Sequence, residues 1–306
     1  SVADFFERRF CREIVEYAVN PFVAGIYAGD PNKLLVRKTF PQLYELEKEY
    51  GSVLKGFLKT RKSTARKVSF SFENGMQELP NAMAKQVAIE YNSIVISIKK
   101  NEKGSFVLST KNGEVEASKI VFSIPSFRAA TFFSSISDYS PNIFKAVPYP
   151  KMYVMHTAFK KADMGLEPNG FGGLHPKKEG LFTAGSIWSS SLFPSRCPQD
   201  EFLFTSFVGG SQFESQASEP KEEIQQKVTE ELQKLYSIKG QPVFQELTYW
   251  ENAIPQYTID TEAAHQALES FQEVGVYHCT NWKDGVSVAD CLKKGKALAE
   301  KLAAAN

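Results

Sequence analysis

The segment Gly285-Val286-Ser287-Val288-Ala289 comes within one residue of G-x-S-x-G, the strand-to-helix elbow that presents a nucleophilic serine. The context is right, because Gly275–Thr280 reads as a short buried strand and Val286–Ala305 as a strong helix. The remainder of a triad is missing. In that arrangement the acid and the histidine follow the serine, whereas His156, His175, His265 and His278 all precede Ser287. No H-E-x-x-H pair exists, and Cys11, Cys197, Cys279 and Cys291 lie far apart without C-x-x-C spacing. No metal site is expected, no dithiol redox motif, and no catalytic side chain; each histidine reads as structural. A second chemistry is open to the same element. A turn of small residues lets a ligand approach the backbone, and the first N–H groups of the helix are uncompensated donors, suited to a phosphate or an electron-rich ring. An ordinary strand-to-helix connection has the same pattern, so spacing leaves both readings open. A G-x-G-x-x-G after a strand occurs nowhere in the chain.

The chain around this element has 306 residues, enough for two domains or for one large one with an insertion. Hydrophobic residues at 42% and charged residues at 23% are ordinary for a globular protein and exclude collagen-like, disordered and membrane-bundle classes. With 36 basic and 35 acidic residues the net charge is +1, which leaves no electrostatic footprint for a nucleic-acid backbone. The aromatic share of 13% suits an aromatic core first and a wide apolar ligand pocket second. Unpaired cysteine spacing fits a reducing, cytoplasmic compartment. The longest apolar stretch, Ala18–Gly29, is interrupted by Asn20-Pro21 and falls short of the roughly 20 residues that span a bilayer. The opening Ser1-Val2-Ala3-Asp4 reads as a capping box, as though the chain were cut at an element boundary.

Apolar residues at helical spacing predict one helix over Val2–Val19, ended by Asn20-Pro21. Short helices are expected at Pro41–Tyr50 and Ser52–Thr60, a strand at Val68–Phe72, and a helix at Met76–Ala88. Ser93–Lys99, Ser105–Thr110 and Ala117–Ile124 read as strands, with Lys111-Asn112-Gly113 as the turn between the last two. Met152–Phe159, Leu181–Ile187, Glu201–Val208 and Val243–Trp250 alternate as strands, and Pro220–Ser237 as a surface helix. The class is mixed, α+β, with an antiparallel sheet. The divisions expected are a helical segment 1–67, strands and helix 68–125, a sheet domain 126–270, and a closing strand and helix 271–306.

Several segments resemble the flavin-dependent protoporphyrinogen oxidases, within the wider amine oxidase and phytoene desaturase group. They are Asn20-Pro21-Phe22-Val23-Ala24-Gly25-Ile26-Tyr27-Ala28-Gly29-Asp30-Pro31, Phe72-Glu73-Asn74-Gly75-Met76-Gln77-Glu78-Leu79-Pro80, Phe207-Val208-Gly209-Gly210-Ser211, Tyr249-Trp250-Glu251-Asn252-Ala253-Ile254-Pro255-Gln256-Tyr257, and Asn281-Trp282-Lys283-Asp284-Gly285-Val286-Ser287-Val288. The first is highly specific; the last is shared by the broader flavin group. The resemblance implies a partial FAD-linked amine-oxidase-like fold, in which 68–125 and 271–306 serve FAD, 126–270 binds substrate, and 1–67 faces a membrane or substrate channel. It also implies that this chain is the C-terminal part of the enzyme, with the Gly-rich flavin-binding βαβ unit upstream of Ser1.

Carried over residue by residue, the resemblance assigns the backbone of Val95 to the adenine of FAD, Gly285, Val286, Ser287 and Val288 to the flavin ring, and Trp250 to its surroundings. Leu174, Ile187 and Phe207 are assigned to the faces of a tetrapyrrole, with Gly209 admitting it to the backbone. Here the family's G-N-x-x-G-G becomes Thr280-Asn281-Trp282-Lys283-Asp284-Gly285, and Asp284 puts a negative charge where a glycine stands. The implied activity is oxidation of protoporphyrinogen IX to protoporphyrin IX, a step of haem biosynthesis, with FAD as hydride acceptor and oxygen or another acceptor reoxidising it. A related flavin amine oxidase or carotenoid desaturase is the alternative, and a non-catalytic module of such a protein is another; the isolated fragment is expected to be inactive. Peripheral contact with a cytoplasmic membrane and a homodimer are consistent with the resemblance; nucleic acid is not an expected partner.

Overall fold

The computed structural model describes residues 1–60 and 69–304. The chain opens as expected, with α1 (Val2–Glu7) under a capping box in which Ser1 Oγ accepts from the Asp4 N–H at 3.1 Å. The single helix expected over Val2–Val19 is instead broken into α1, α2 (Arg12–Ile14) and a π turn, Val15–Val19, and it does not stop at Pro21. Pro21 sits in the first turn of α3 (Asn20–Tyr27), where a missing N–H costs nothing. In the wide π turn before it, the Asn20 N–H reaches back to the Val15 carbonyl, so the chain passes the proline ring without an α-helical ladder to disrupt. Val23 is buried and Tyr27 OH donates to the Thr39 carbonyl, while Phe22 and Ile26 point outward.

A short α4 (Val36–Thr39), not singled out in the sequence, precedes the two short helices that were expected, α5 (Pro41–Tyr50) and α6 (Val53–Lys59). Of the strand expected at Val68–Phe72, Val68 lies outside the described residues and 69–72 form no strand; an alternating run without a bonded neighbour is not one. Next come α7 (Glu78–Ala84), then β1 (Val95–Lys100), β2 (Phe106–Thr110) and β3 (Gly113–Ala117) in an antiparallel sheet of order β1-β2-β3. The Lys111-Asn112-Gly113 turn therefore leads into β3, with Gly113 opposite Thr110, and not into the Ala117–Ile124 strand. That run contributes a separate short strand, β4 (Ile120–Phe122).

After α8 (Ser126–Ile136) and α9 (Pro141–Lys145) come β5 (Met152–Lys160), β6 (Gly172–Leu174), β7 (Gly185–Trp188), α10 (Ser189–Leu192), β8 (Glu201–Gly209), α11 (Lys221–Tyr236) and β9 (Phe244–Trp250). The five strands form one antiparallel sheet of order β6-β7-β8-β5-β9, the α+β region expected. The chain closes with α12 (Glu262–Phe271), β10 (Val276–His278) and α13 (Val288–Ala304); β10 pairs parallel with β4, Val276 opposite Ile120.

Two compact units result, each built from two stretches: 1–44 with 149–254, and 45–148 with 255–306. In the first, one face of the five-stranded sheet carries Tyr153, Met155, Phe159, Phe202, Phe204 and Val208 against Ile224, Val228, Leu232 and Tyr236 of α11. Those four helical residues recur at the spacing of one helix face, which is why α11 buries a stripe and solvates the rest. The second unit is centred on buried rings: Phe133 lies 4.7 Å from Phe122, 4.4 Å from Phe144 and 4.8 Å from Phe271, with Trp282 edge-on to Phe144.

Candidate functional site

Side chains alternate across a strand, so the face of the five-stranded sheet opposite α11 carries the other parity. Register sets the neighbours. Leu174 of β6 pairs with Gly185 of β7, Gly185 with Phe207 of β8, and Phe207 with Val154 of β5. Leu174 and Phe207 thus stand about 10 Å apart, two strand spacings, with only backbone between them. Gly185 has φ of +142°, and a Cβ there would run into the Gly173 carbonyl and Leu174 Cα of β6. Its lack of a side chain permits the close approach of β6, and Gly185 itself is buried between Leu174 and Phe207 in the register. One row along the strands, Ile187 pairs with Thr205 and Thr205 with His156; in the opposite direction, Gly209 pairs with Met152 and Met152 with Trp250.

Leu174, Ile187, Phe207, Gly209 and Trp250 therefore occupy one face of one sheet. Leu174 is 43% exposed and Trp250 54%, Ile187 and Phe207 are half-buried, and Gly185 and Gly209 are buried, so the accessible part of this platform is its apolar side chains. Gly209 also has a purely structural reason to be glycine: its φ is +104° and a Cβ would meet the Lys151 carbonyl at 2.6 Å and Ala217 Cβ at 2.7 Å. Beside the apolar row runs a polar one, in which Thr205 Oγ1 lies 2.9 Å from His156 Nδ1 and 2.7 Å from Ser189 Oγ. Burial pushes the His156 imidazole below its usual range, with the Glu246 carboxylate partly opposing it, which favours the neutral ring.

The second unit holds the strand-to-helix turn. Trp282 is fully buried and donates Nε1–H to the Ile124 carbonyl at 3.1 Å, which pins the turn to the aromatic core. Tyr257 OH donates to the Asn281 carbonyl and accepts from the Gly285 N–H, both at 2.9 Å, spanning the turn from end to end. Burial holds the Tyr257 phenol far above its ordinary pKa, so it stays protonated and keeps that donor. Asp284 takes φ of +58° and Gly285 φ of +115°. Asp284 thus takes the left-handed conformation without being glycine, which an aspartate tolerates.

Ser287 is not poised as a nucleophile. Its Oγ donates to Asp290 Oδ2 at 2.6 Å and accepts the Asp290 N–H at 3.1 Å, a capping box at the start of α13. Sequence reading missed this, although the signal was present: Ser287-Val288-Ala289-Asp290 repeats the Ser1-Val2-Ala3-Asp4 tetrapeptide that opens α1. It also missed Gly185 and Lys294. The Lys294 ammonium, two turns into α13, donates to the carbonyls of Thr280, Lys283 and Gly285. Lys283 is buried and ion-paired with Glu269.

Val95 opens β1, and the ladder slips directly after it, with Val95 opposite Thr110 and Ser97 opposite Ser109. Such a bulge frees backbone for other partners. Val95 lines a cleft of about 580 Å³ in the second unit, between Ile94, Ile98 and Leu108 on one side and Ile120–Ile124, Arg128 and Phe132 on the other. Among the described residues no group of histidine, cysteine and carboxylate side chains is arranged to hold a metal ion, and no helix is long and apolar enough to cross a membrane.

A family model described as flavin containing amine oxidoreductase matches residues 1–303. The chain is 30% identical over 339 residues to the mitochondrial protoporphyrinogen oxidase of Nicotiana tabacum, covering 96% of this chain and 66% of that protein. It is 27% identical over 314 residues to the coproporphyrinogen III oxidase of Bacillus subtilis, covering 97% and 66%. A crystal structure from Exiguobacterium sp., of a protein assigned as a protoporphyrinogen oxidase, superposes over 100% of this chain and 67% of that one with a TM-score of 0.80 at 19% identity, a likeness of fold. The chain spans about two thirds of the length of the curated relatives it matches.

Proposed function

Because the chain belongs to the flavin containing amine oxidoreductase family, we propose that the protein carrying it oxidises protoporphyrinogen IX to protoporphyrin IX with FAD as the electron acceptor. The carrying observation is that the apolar side chains of Leu174, Ile187 and Phe207 share one face of the sheet, opposite the face packed by α11, with the glycine Gly185 between Leu174 and Phe207 in the register. A wide apolar macrocycle needs apolar contact surface more than it needs hydrogen bonds. Relatives named for oxidation of two porphyrinogens point to the same substrate class.

The donor chemistry of the second unit fits a flavin. N–H groups at the start of α13 suit the electron-rich N1/C2 edge of the ring, and the cleft beside Val95 has the apolar lining that an adenine takes. Gly285, Val286, Ser287 and Val288 would hold the ring, with Val95 at the adenine and Trp250 serving as scaffold. Bound FAD supplies the two-electron acceptor; this chain's residues orient the macrocycle, exclude water and place positive dipole at the ring. No side-chain base is assigned. In this reading residues 68–125 and 271–306 serve the cofactor, 126–270 the substrate, and 1–67 the channel or membrane side. Cytoplasmic residence, peripheral membrane attachment and dimerisation go with it and are checked by fractionation and sedimentation.

The test is to load the full-length protein with FAD and offer it protoporphyrinogen IX, coproporphyrinogen III and a primary amine separately. Appearance of protoporphyrin fluorescence with the first is the expected result. Flavin reduction by the amine alone defeats the proposal, preference for the second moves the substrate within its class, and a protein that takes up no flavin leaves only a non-catalytic module.

A further inference from the structure

We propose that Lys294 is a positioning residue for the flavin-facing turn, fixing which backbone N–H groups that turn presents. The inference rests on the flavin reading of the 285–288 segment. Lys294 Nζ reaches back along α13 to three carbonyls of one turn, donating to Thr280, to Lys283 at 2.6 Å and to Gly285 at 2.9 Å. An ammonium has three donors and no acceptor, so all three are used on this one object.

The consequence follows from the trans peptide unit, in which the C=O and the following N–H point in opposite directions. Anchoring the Gly285 carbonyl on Lys294 aims the Val286 N–H away from the ammonium, and anchoring the Lys283 carbonyl does the same for the Asp284 N–H. The neighbouring donors are already committed, Gly285 N–H to Tyr257 OH and Asp290 N–H to Ser287 Oγ. Among the described residues the N–H groups of Val286, Val288 and Ala289 have no acceptor. They form a short run of donors at the positive end of α13. Lys294 therefore clears the carbonyls from the ligand side and adds a positive charge behind it, where Asp284 and Asp290 would otherwise set the local sign. Reduction of a flavin puts negative charge on the ring edge, so the arrangement stabilises the reduced form more than the oxidised one.

The experiment uses the flavin-loaded full-length enzyme and compares Lys294→Met with Lys293→Met, which removes the same charge one residue away on the exposed side of the helix. Flavin content is expected to match the wild type in both. The equilibrium constant for flavin reduction, titrated against a dye of known potential, is expected to fall about tenfold in Lys294→Met, about 30 mV for a two-electron couple, and to stay near the wild-type value in Lys293→Met. Amides of residues 280–289 are expected to exchange faster in Lys294→Met alone, while those of β8 keep their protection. Equal reduction constants in the two variants overturn the proposal, as does unchanged exchange at 280–289. If Lys294→Met does not accumulate folded, Lys294→Arg keeps the charge but presents a planar fork that cannot serve three converging carbonyls; faster exchange at 280–289 supports the proposal and unchanged exchange overturns it. A wild-type protein that never takes up flavin sinks the cofactor reading together with this inference. A flavin-bound wild type with an unresponsive Lys294→Met sinks this inference alone.

Discussion

Gly25 of α3 lies so close to the Leu174 side chain of β6 that a methyl group at position 25 would overlap Leu174 Cδ2. The glycine in Asn20-Pro21-Phe22-Val23-Ala24-Gly25 thus has a physical task inside the first unit: it lets the helix backbone press on Leu174 and hold that leucine in place.

Gly25→Ala is expected to destabilise the protein by about 1–3 kcal/mol, the usual cost of overpacking, and to raise KM by displacing Leu174. Because the overlap is with the end of a flexible side chain, Leu174→Ala should absorb it. Denaturant unfolding of the two single variants and the double variant measures the coupling; additive effects would mean that the two residues do not press on each other.

Phe207→Ala removes an aromatic ring from the apolar face without touching the opposite, helix-packed face of β8. KM for the porphyrinogen is expected to rise about tenfold, in line with loss of a buried aromatic contact, with flavin content and melting temperature near wild type. An unchanged KM counts against the platform as the substrate surface.

Tyr257→Phe removes one hydroxyl that satisfies both the Asn281 carbonyl and the Gly285 N–H. A loss of about 1–3 kcal/mol is expected, since two polar groups of a largely buried turn lose their partner. Calorimetry of the variant checks it, and a melting temperature equal to wild type would show that water replaces the hydroxyl at no cost.

His278 predicts the shape of the acid limb. Desolvation first, and then the Lys283 ammonium, push its folded pKa down from 6.5 to about 4. The unfolded state then binds the extra proton, so this contribution is complete above pH 6.5 and drains away as pH falls toward 4. The size is a few kcal/mol at most. Glu269, whose carboxylate is held low chiefly by the Lys283 hydrogen bond, loses its share only as pH falls further. His278→Gln should flatten the stability profile between pH 6.5 and 4 while leaving the lower part in place; a parallel profile, merely displaced, would contradict the assignment.

Periodicity made β5, β8, β9, α11 and α13 legible, because each carries its burial pattern within its own residues. β4 and β10 were legible as strands, within Ala117–Ile124 and Gly275–Thr280, but their parallel pairing was not, since a partner more than a hundred residues away leaves no mark on either segment. The same limit hid β3, a strand with an exposed face that no apolar alternation marks. At the site, small residues around Ser287 pointed to the turn, and the resemblance supplied Leu174, Ile187 and Phe207. Only register could show that Gly185 stands between two of them. Lys294 left no signal, because its acceptors are carbonyls, and every residue has one.

The two-sidedness of the five-stranded sheet separates two kinds of change. On β8, Phe202, Phe204 and Val208 hold α11, whereas Thr205 and Phe207 look the other way. Alternate positions on a single strand can therefore drift under different pressures, one set guarding solubility and yield, the other retuning what is gripped. Libraries confined to the second set should return folded proteins with altered appetite, a property that loop-built pockets rarely offer.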